Sequence, residues 1–336
     1  MTQVLVAGLD IAKDTLDVVV YRRGADRALA RSHRFANAAA GWSQLAAYLA
    51  RWAEQLGGAR CAVYLEATGV YSEGVCHAFA QQAGTTVHRV PPGRIKHYLQ
   101  AIGQPGKTDA LDAGGIARFG AHHDWPCWVA PDPAVAALRQ LVHRREELQQ
   151  LRLRERNRVH ADTYRHAPQA AVAASRQRLL AVLDAELDQI ERAIRQGLRA
   201  TRALAHAARH LRSIQGVGPQ TTTVVLAEVG VCPPAAVKSL VAWAGLAPRP
   251  RESGSSVRGQ AKISPCRRRL LRKVLYMAAL AGVRHNPILR DYYARLLARG
   301  KPKKLALVAC MRKLLHLIYG VLKHQRPFDL RLATAA

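Results

Sequence analysis

The chain has 336 residues, with 51 Lys and Arg against 23 Asp and Glu, for a formal net charge of +28. Its hydrophobic content of 49% excludes a disordered polycation, because such a chain cannot bury enough apolar surface to fold. A folded protein this positive calls for an anionic partner, with nucleic acid expected first and an anionic membrane second.

In chain order, residues 1–125 alternate between strand and helix patterns. VLVAGLD is a short apolar run ending in Asp10, and TLDVVVYRR and ALARSHRFA follow across tight turns, giving three successive strands. AGWSQLAAYLARWAEQL has apolar residues at helical spacing. CAVYLE reads as a fourth strand, VYSEGVCHAFAQQAG as a helix, and TTVHRV as a fifth strand stopped by Pro91 and Pro92. KTDALDAGGIARFGAHH is then a helix, weakened in the middle by Gly114 and Gly115.

Residues 126–208 form a second region with few strand formers. Leu138, Leu141, Leu148 and Leu151 mark one helical stripe, and Leu179, Leu183, Leu187, Ile190, Ile194 and Leu198 mark another. Two long helices folding back on each other, or pairing with another subunit, are expected, with a compact helical core as the alternative. The third region, 209–336, opens with Gly216-Val217-Gly218-Pro219 ahead of an apolar helix. Such a turn leaves N–H groups free to hold a phosphate and follows a helix-hairpin-helix-like pattern. The segment RPRESGSSVRGQAKISPCRRRLLRK carries Arg249, Arg251, Arg258, Lys262, Arg267, Arg268 and Arg269 against Glu252 alone, a density suited to a nucleic-acid backbone. The tail has a basic amphipathic helix pattern. No run of about 18 apolar residues stands out as a spanning helix, and MTQVLVAGLD reaches an acid too soon for a secretory leader. A soluble, cytoplasmic protein is expected.

The chemistry centres on acids. Six scattered cysteines without a C-x-x-C argue against a zinc ribbon or a disulfide framework. His206 and His210 lack the glutamate of H-E-x-x-H, so any metal should be held by carboxylates. Asp109 and Asp112 in KTDALDA share a helix face and repel unless something positive intervenes. Asp10 and Glu66 each end or close a strand, where a charge is costly unless it works or is paired. Four acids meeting in one place require cations, and hard divalent ions with oxygen ligands, Mg²⁺ or Mn²⁺, answer that need. Asp17, on the second strand, is the first reserve. The order of strand Asp, strand Glu and D-x-x-D helix resembles an RNase H/RuvC-like fold: an α/β domain with a mixed five-stranded sheet and flanking helices.

GLDIAKDTLDV, the F-x-N-x-x-x-G of FANAAAG, YLEATGVY, KTDALDA, IQGVGPQTTTVVLAEVG and WAGLAPRPRESG occur here in the order seen in the insertion sequence 110 family, including its 1111 subgroup. The resemblance runs from about residue 5 to residue 285. It implies a DEDD-type transposase, or recombinase, joining a RuvC-like domain at 1–125, a helical coiled-coil assembly region at 126–208, and a mostly α-helical C-terminal transposase domain at 209–336. By motif position, Asp10, Glu66, Asp109 and Asp112 match the four acids, and Ser253 matches a serine nucleophile. Ser255 or Ser256 takes that role if the register slips. The resemblance further implies about two Mg²⁺ ions per site, double-stranded DNA as substrate, a structured bridge RNA as guide, and a dimer that pairs into a tetramer on DNA. Lys107 stands beside the acids, facing the phosphate or tempering the cluster. The stretch ISPCRRRLLR departs from the family's I-S-K-x-G-N pattern, keeping charge but losing the Gly and Asn that tolerate a left-handed backbone. Competing readings are a RuvC-like nuclease without serine chemistry, a sugar-kinase or actin-like ATPase, for which no second glycine-rich loop is found, and a non-catalytic DNA-binding protein.

Overall fold

The computed structural model describes residues 3–67, 69–103, 109–253, 257–263 and 268–331, with backbone alone for 109–111, 249–253 and 257–262. The chain divides into two compact units, Met1–Ala130 and Pro131–Ala336.

In the first unit, β1 (Val4–Ile11) and β2 (Thr15–Arg22) form an antiparallel hairpin, and β3 (His33–Ala36) adds antiparallel to β2. The third strand is shorter than the sequence suggests, Ala28 making only an isolated bridge to Tyr21. Helix α1 (Ala39–Gln55) leads to β4 (Arg60–Glu66), parallel to β1. A 3-10 turn at Val70–Ser72 and α2 (Glu73–Ala80) lead to β5 (Thr85–Val90), parallel to β4. Helices α3 (Pro92–Ala101) and α4 (Asp109–His122) complete the unit, with α4 running through Gly114 and Gly115 unbroken. The five-stranded sheet is mixed, in the order β3-β2-β1-β4-β5. Strands β1 and β4 are buried on both faces, which is why they read as continuous apolar runs. Leu5, Leu9, Val63 and Phe79 belong to the core under α1 and α2, while Val6, Tyr64, Ile116 and Phe119 belong to the core under α4.

One close approach fixes α4. A Cβ on Gly8 would fall 2.2 Å from the Ala117 backbone N and 2.5 Å from the Ala113 carbonyl oxygen, so the helix backbone lies directly on β1. Arg23, whose backbone N–H donates to Val4 O at 3.0 Å, sits at the start of β1. Its guanidinium donates to Gly120 O at 2.8 Å, and the Gly24 N–H donates to Ala121 O at 3.0 Å. The C-terminal turn of α4 is thereby pinned at the start of β1, and its N-terminal turn points toward the strand's far end.

In the second unit, α5 (Pro133–Asp162) and α6 (Ala170–Gly197) form an antiparallel hairpin. Arg145 pairs with Glu191 at 3.3 Å, Arg152 with Asp184 at 2.9 Å and Arg176 with Asp162 at 2.6 Å. Toward the hairpin's free end, Leu148, Leu183 and Leu187 form a small cluster of their own. Its base, through Val135, Leu138, Val142 and Ile194, shares one core with the rest of the unit. That remainder comprises α7 (Arg202–Arg212), α8 (Pro219–Val229), α9 (Val237–Trp243), the antiparallel pair β6 (Pro248–Ser253) and β7 (Val257–Ile263), α10 (Arg269–His285), α11 (Pro287–Ala298) and α12 (Lys303–His324).

Helix α12 corrects the expectation that no segment could span a membrane. It has 22 residues and a mean hydropathy of 1.7 over 18 of them, enough by length and composition. Half of that window is buried within the unit, where Leu307, Cys310, Leu314 and Ile318 belong to the core. The described cysteines are free thiols, and burial pushes Cys61 up to about 12 and Cys76 and Cys310 up to about 11.

Gly8→Ala should destabilise the chain by about 1–3 kcal/mol through overpacking, read from the denaturant midpoint. An unchanged midpoint would show that α4 does not seat on β1 at this position.

Candidate active site and nucleic-acid interface

Asp10 is the penultimate residue of β1 and Glu66 the last of β4. The strands are parallel with Leu9 opposite Leu65, so Asp10 and Glu66 stand one step further on, side by side. Side chains alternate along a strand, and Val6 and Tyr64 face the α4 core, so Asp10 and Glu66 are on that same face. The first turn of α4, carrying Asp109 and Asp112, is directed toward this edge. Asp10, Glu66 and Asp112 are each half-buried. The Asp109 side chain and all of Lys107 lie outside the described residues. Among the described residues, no three His, Cys, Asp or Glu side chains gather closely enough to hold a metal. The candidate ligands are all carboxylates, a donor set that fits a hard divalent cation such as Mg²⁺ or Mn²⁺.

Asp17, the reserve acid, is directly opposite Asp10 across the β1–β2 pair. It is 6% exposed and already matched by Arg34, whose Nη2 donates to Oδ2 at 2.9 Å and whose Nε lies 3.2 Å from both oxygens. That forked contact balances its charge locally. Sequence reasoning gave no role to Asn37. Its Nδ2 donates to Ala12 O at 3.0 Å and Tyr71 O at 3.1 Å, with Lys13 O at 3.3 Å. It thus ties the loop after β1 to the segment after β4, the two segments that follow Asp10 and Glu66. Trp42 holds Asn37 in turn, its Nε1 donating to Oδ1 at 3.0 Å. The F-x-N-x-x-x-G pattern was the available signal.

In the second unit, Ser253 ends β6 opposite Val257. Arg249 is in register with Lys262, Arg251 with Gly259 and Glu252 with Arg258, with a register shift between Arg249 and Arg251. Ser255, Ser256 and Arg267 lie outside the described residues. Arg269 opens α10 and is exposed. Arg268 is held in place: its Nη1 donates to Glu228 Oε2 at 3.1 Å, and its guanidinium stacks over Trp243 at 4.3 Å. Glu228 is 6% exposed and also meets His143 Nε2 at 2.6 Å. Burial raises the Glu228 carboxyl, but the His143 hydrogen bond and the charges of Arg268 and Arg139 outweigh it, so the group is held below its ordinary value. Gly216 has φ +97°, and a Cβ there would meet the Gly282 backbone at 2.8 Å, so packing against α10 explains this glycine. Gly218 is exposed at the N-cap of α8, with no side-chain cap.

Residues 7–163 match a family described as "Transposase", of the DEDD type of IS110, and residues 208–294 match the "Transposase IS116/IS110/IS902 family". The chain is 30% identical to the pilin gene-inverting protein of Moraxella bovis over 337 aligned positions, covering 97% of this chain and 98% of that protein. The counterpart in Moraxella lacunata is 29% identical with the same coverage. An uncharacterized 43.6 kDa protein of insertion element IS110 from Streptomyces coelicolor is 33% identical over 36% of this chain and 30% of its own length.

Because the Glu228 value is depressed on folding, its contribution is fully present above the ordinary value of 4.5 and is lost as pH falls through the folded value. Glu228→Gln should cost about 2 kcal/mol at pH 7. The melting difference from the parent chain should shrink below pH 4.5. A pH-independent difference would show that the carboxylate charge contributes nothing.

Proposed function

Since the chain belongs to the IS110 family of DNA transposases, we propose that it cuts and rejoins DNA by divalent-metal-dependent phosphoryl transfer, with Ser253 as nucleophile and a structured bridge RNA as guide. What supports the metal reading is that Asp10 and Glu66 stand on adjacent strands on the face that α4 covers, with the first turn of α4 directed toward that edge. Asp10, Glu66, Asp109 and Asp112 would hold Mg²⁺ or Mn²⁺, about two ions per site, supplying charge stabilisation for the attacking and leaving oxygens. Two relatives named for gene inversion support a reaction in which cut strands are rejoined.

In the serine step, the Ser253 hydroxyl gives up its proton and its oxygen attacks phosphorus. The bond to the leaving strand breaks, and the departing oxygen takes up a proton. The phosphoserine ester retains the bond energy, so a hydroxyl of another strand can attack it, form the new phosphodiester and release the serine without ATP. A serine needs such activation because it is a weak nucleophile at its ordinary pKa. Arg249, Arg251, Arg258, Lys262, Arg267, Arg268 and Arg269 form the proposed phosphate-binding segment, with Arg268 oriented by Glu228. Gly216 and Gly218 fit a helix-hairpin-helix-like turn whose following helix offers N–H groups to a phosphate. Leu151, Leu179 and Val182 are exposed on the α5–α6 hairpin, which supports a coiled-coil assembly surface for a dimer or tetramer. The chain would work in the cytoplasm at the nucleoid.

Incubation with a supercoiled plasmid carrying the element ends, the bridge RNA and Mg²⁺ should trap a covalent protein–DNA adduct after denaturation. Ser253→Ala should abolish it, and Asp10→Asn or chelation of the metal should reduce it at least a hundred-fold. An undiminished adduct in Ser253→Ala would remove this serine from the chemistry. Cleavage without any adduct would favour a RuvC-like nuclease.

A further inference from the structure

A basic cleft lies in the second unit, between the base of the α5–α6 hairpin and helices α7 and α8. Its volume is about 1070 Å³. Arg195 and Arg199 line it from the end of α6 and the turn beyond, and Arg209 and Arg212 from the last turn of α7. All four are exposed, and none makes an ion pair with an acid among the described residues. The acid on the wall, Glu191, is already matched at 3.3 Å by Arg145, which is only 4% exposed. Four guanidinium groups therefore face one space without compensation, an arrangement that costs self-repulsion unless an anion enters.

The other wall adds to the same field. Pro219 and Gln220, the first residues of α8, line the cleft, and no side chain caps that helix. The positive end of an eleven-residue helix thus faces the space that the arginines surround. No aromatic side chain is among the lining residues. Single-stranded nucleic acid is ordinarily gripped by stacking bases on aromatic rings, whereas a duplex presents only its phosphates to a cleft of this kind.

We propose that this cleft extends the phosphate contact assigned above to the start of α8 into a site that holds the phosphate backbone of double-stranded DNA without reading its sequence. It rests on the chain's membership of a DNA transposase family and is independent of the serine chemistry. Arg195 and Arg199 contact one stretch of backbone and Arg209 and Arg212 another, while the Arg145–Glu191 pair braces the wall between α5 and α6.

The test is equilibrium binding of the full chain to a labelled 30-base-pair duplex of arbitrary sequence, followed by fluorescence anisotropy across a salt series. Arg195→Ala with Arg199→Ala, and Arg209→Ala with Arg212→Ala, should each lower affinity at least ten-fold at 150 mM salt. Each pair should also flatten the slope of log affinity against log salt by about 1.8, since each lost phosphate contact removes about 0.9. The corresponding Lys pairs should retain most of the slope. Arg178→Ala with Arg192→Ala, an equal charge loss outside the cleft lining, is the control for net charge. Cleft pairs that behave like that control would overturn the proposal. So would loss of binding to a hairpin RNA with duplex affinity unchanged. Because this readout requires no catalysis, a failed Ser253 assignment would leave it intact.

Discussion

The contact of helix α4 with strand β1 is the constraint on which the first unit depends. Only a residue without a Cβ lets the helix backbone rest on the strand at Gly8. Closer packing would be of little consequence if the helix could slide, but Arg23 and Gly24 fix its far end through backbone carbonyls. With one end pinned and the middle seated, the position of the acidic first turn follows. Sheet register does the rest, putting Asp10 beside Glu66 on the face that α4 covers. Asn37 secures the loops that lead away from both strands, so the edge is braced from below as well as from above.

Charge is distributed unequally between the two units in a way that bears on function. In the second unit, acids are drawn into pairs with arginine: Glu191 with Arg145, Asp184 with Arg152, Asp162 with Arg176 and Glu228 with Arg268. Those pairs stitch α5 to α6 and α8 to the start of α10. At the edge of the first unit's sheet, carboxylates stand beside carboxylates. Asp10 has Asp17 opposite it on one side and Glu66 next to it on the other. Asp17 is balanced by Arg34. Neighbouring carboxylates at one sheet edge fit the divalent-cation site proposed above.

Much of this was legible in the sequence, and the exceptions have physical reasons. The five strands and the α5–α6 hairpin announce themselves because burial imposes periods of two and of three to four residues. The pair β6–β7 does not, since Arg, Gly and Ser carry no apolar alternation and the pairing rests on backbone hydrogen bonds. Helix α3 was missed because only Ile95 is buried along it and its PGRIKHYLQA sequence has a weak apolar face. Helix α12 was under-read for the opposite reason: Lys and Arg among its leucines disguised a helix apolar enough for a membrane, whose buried face forms core. Asp17 looked like a spare ligand because its partner, Arg34, comes from a different strand. Glu228 was invisible because a lone polar residue shows its importance only when the groups it joins are known, and Asn37 showed only as a member of the F-x-N-x-x-x-G pattern, without a role.

The central claim, that the sheet-edge acids form a divalent-cation site, is tested most directly by Mn²⁺ binding to the full chain, followed by the paramagnetic resonance signal of the free ion. The account predicts that the parent chain takes up Mn²⁺ and that Asp10→Asn and Asp112→Asn each weaken uptake at least ten-fold while thermal unfolding stays close to that of the parent. Undiminished Mn²⁺ uptake in both variants would contradict it.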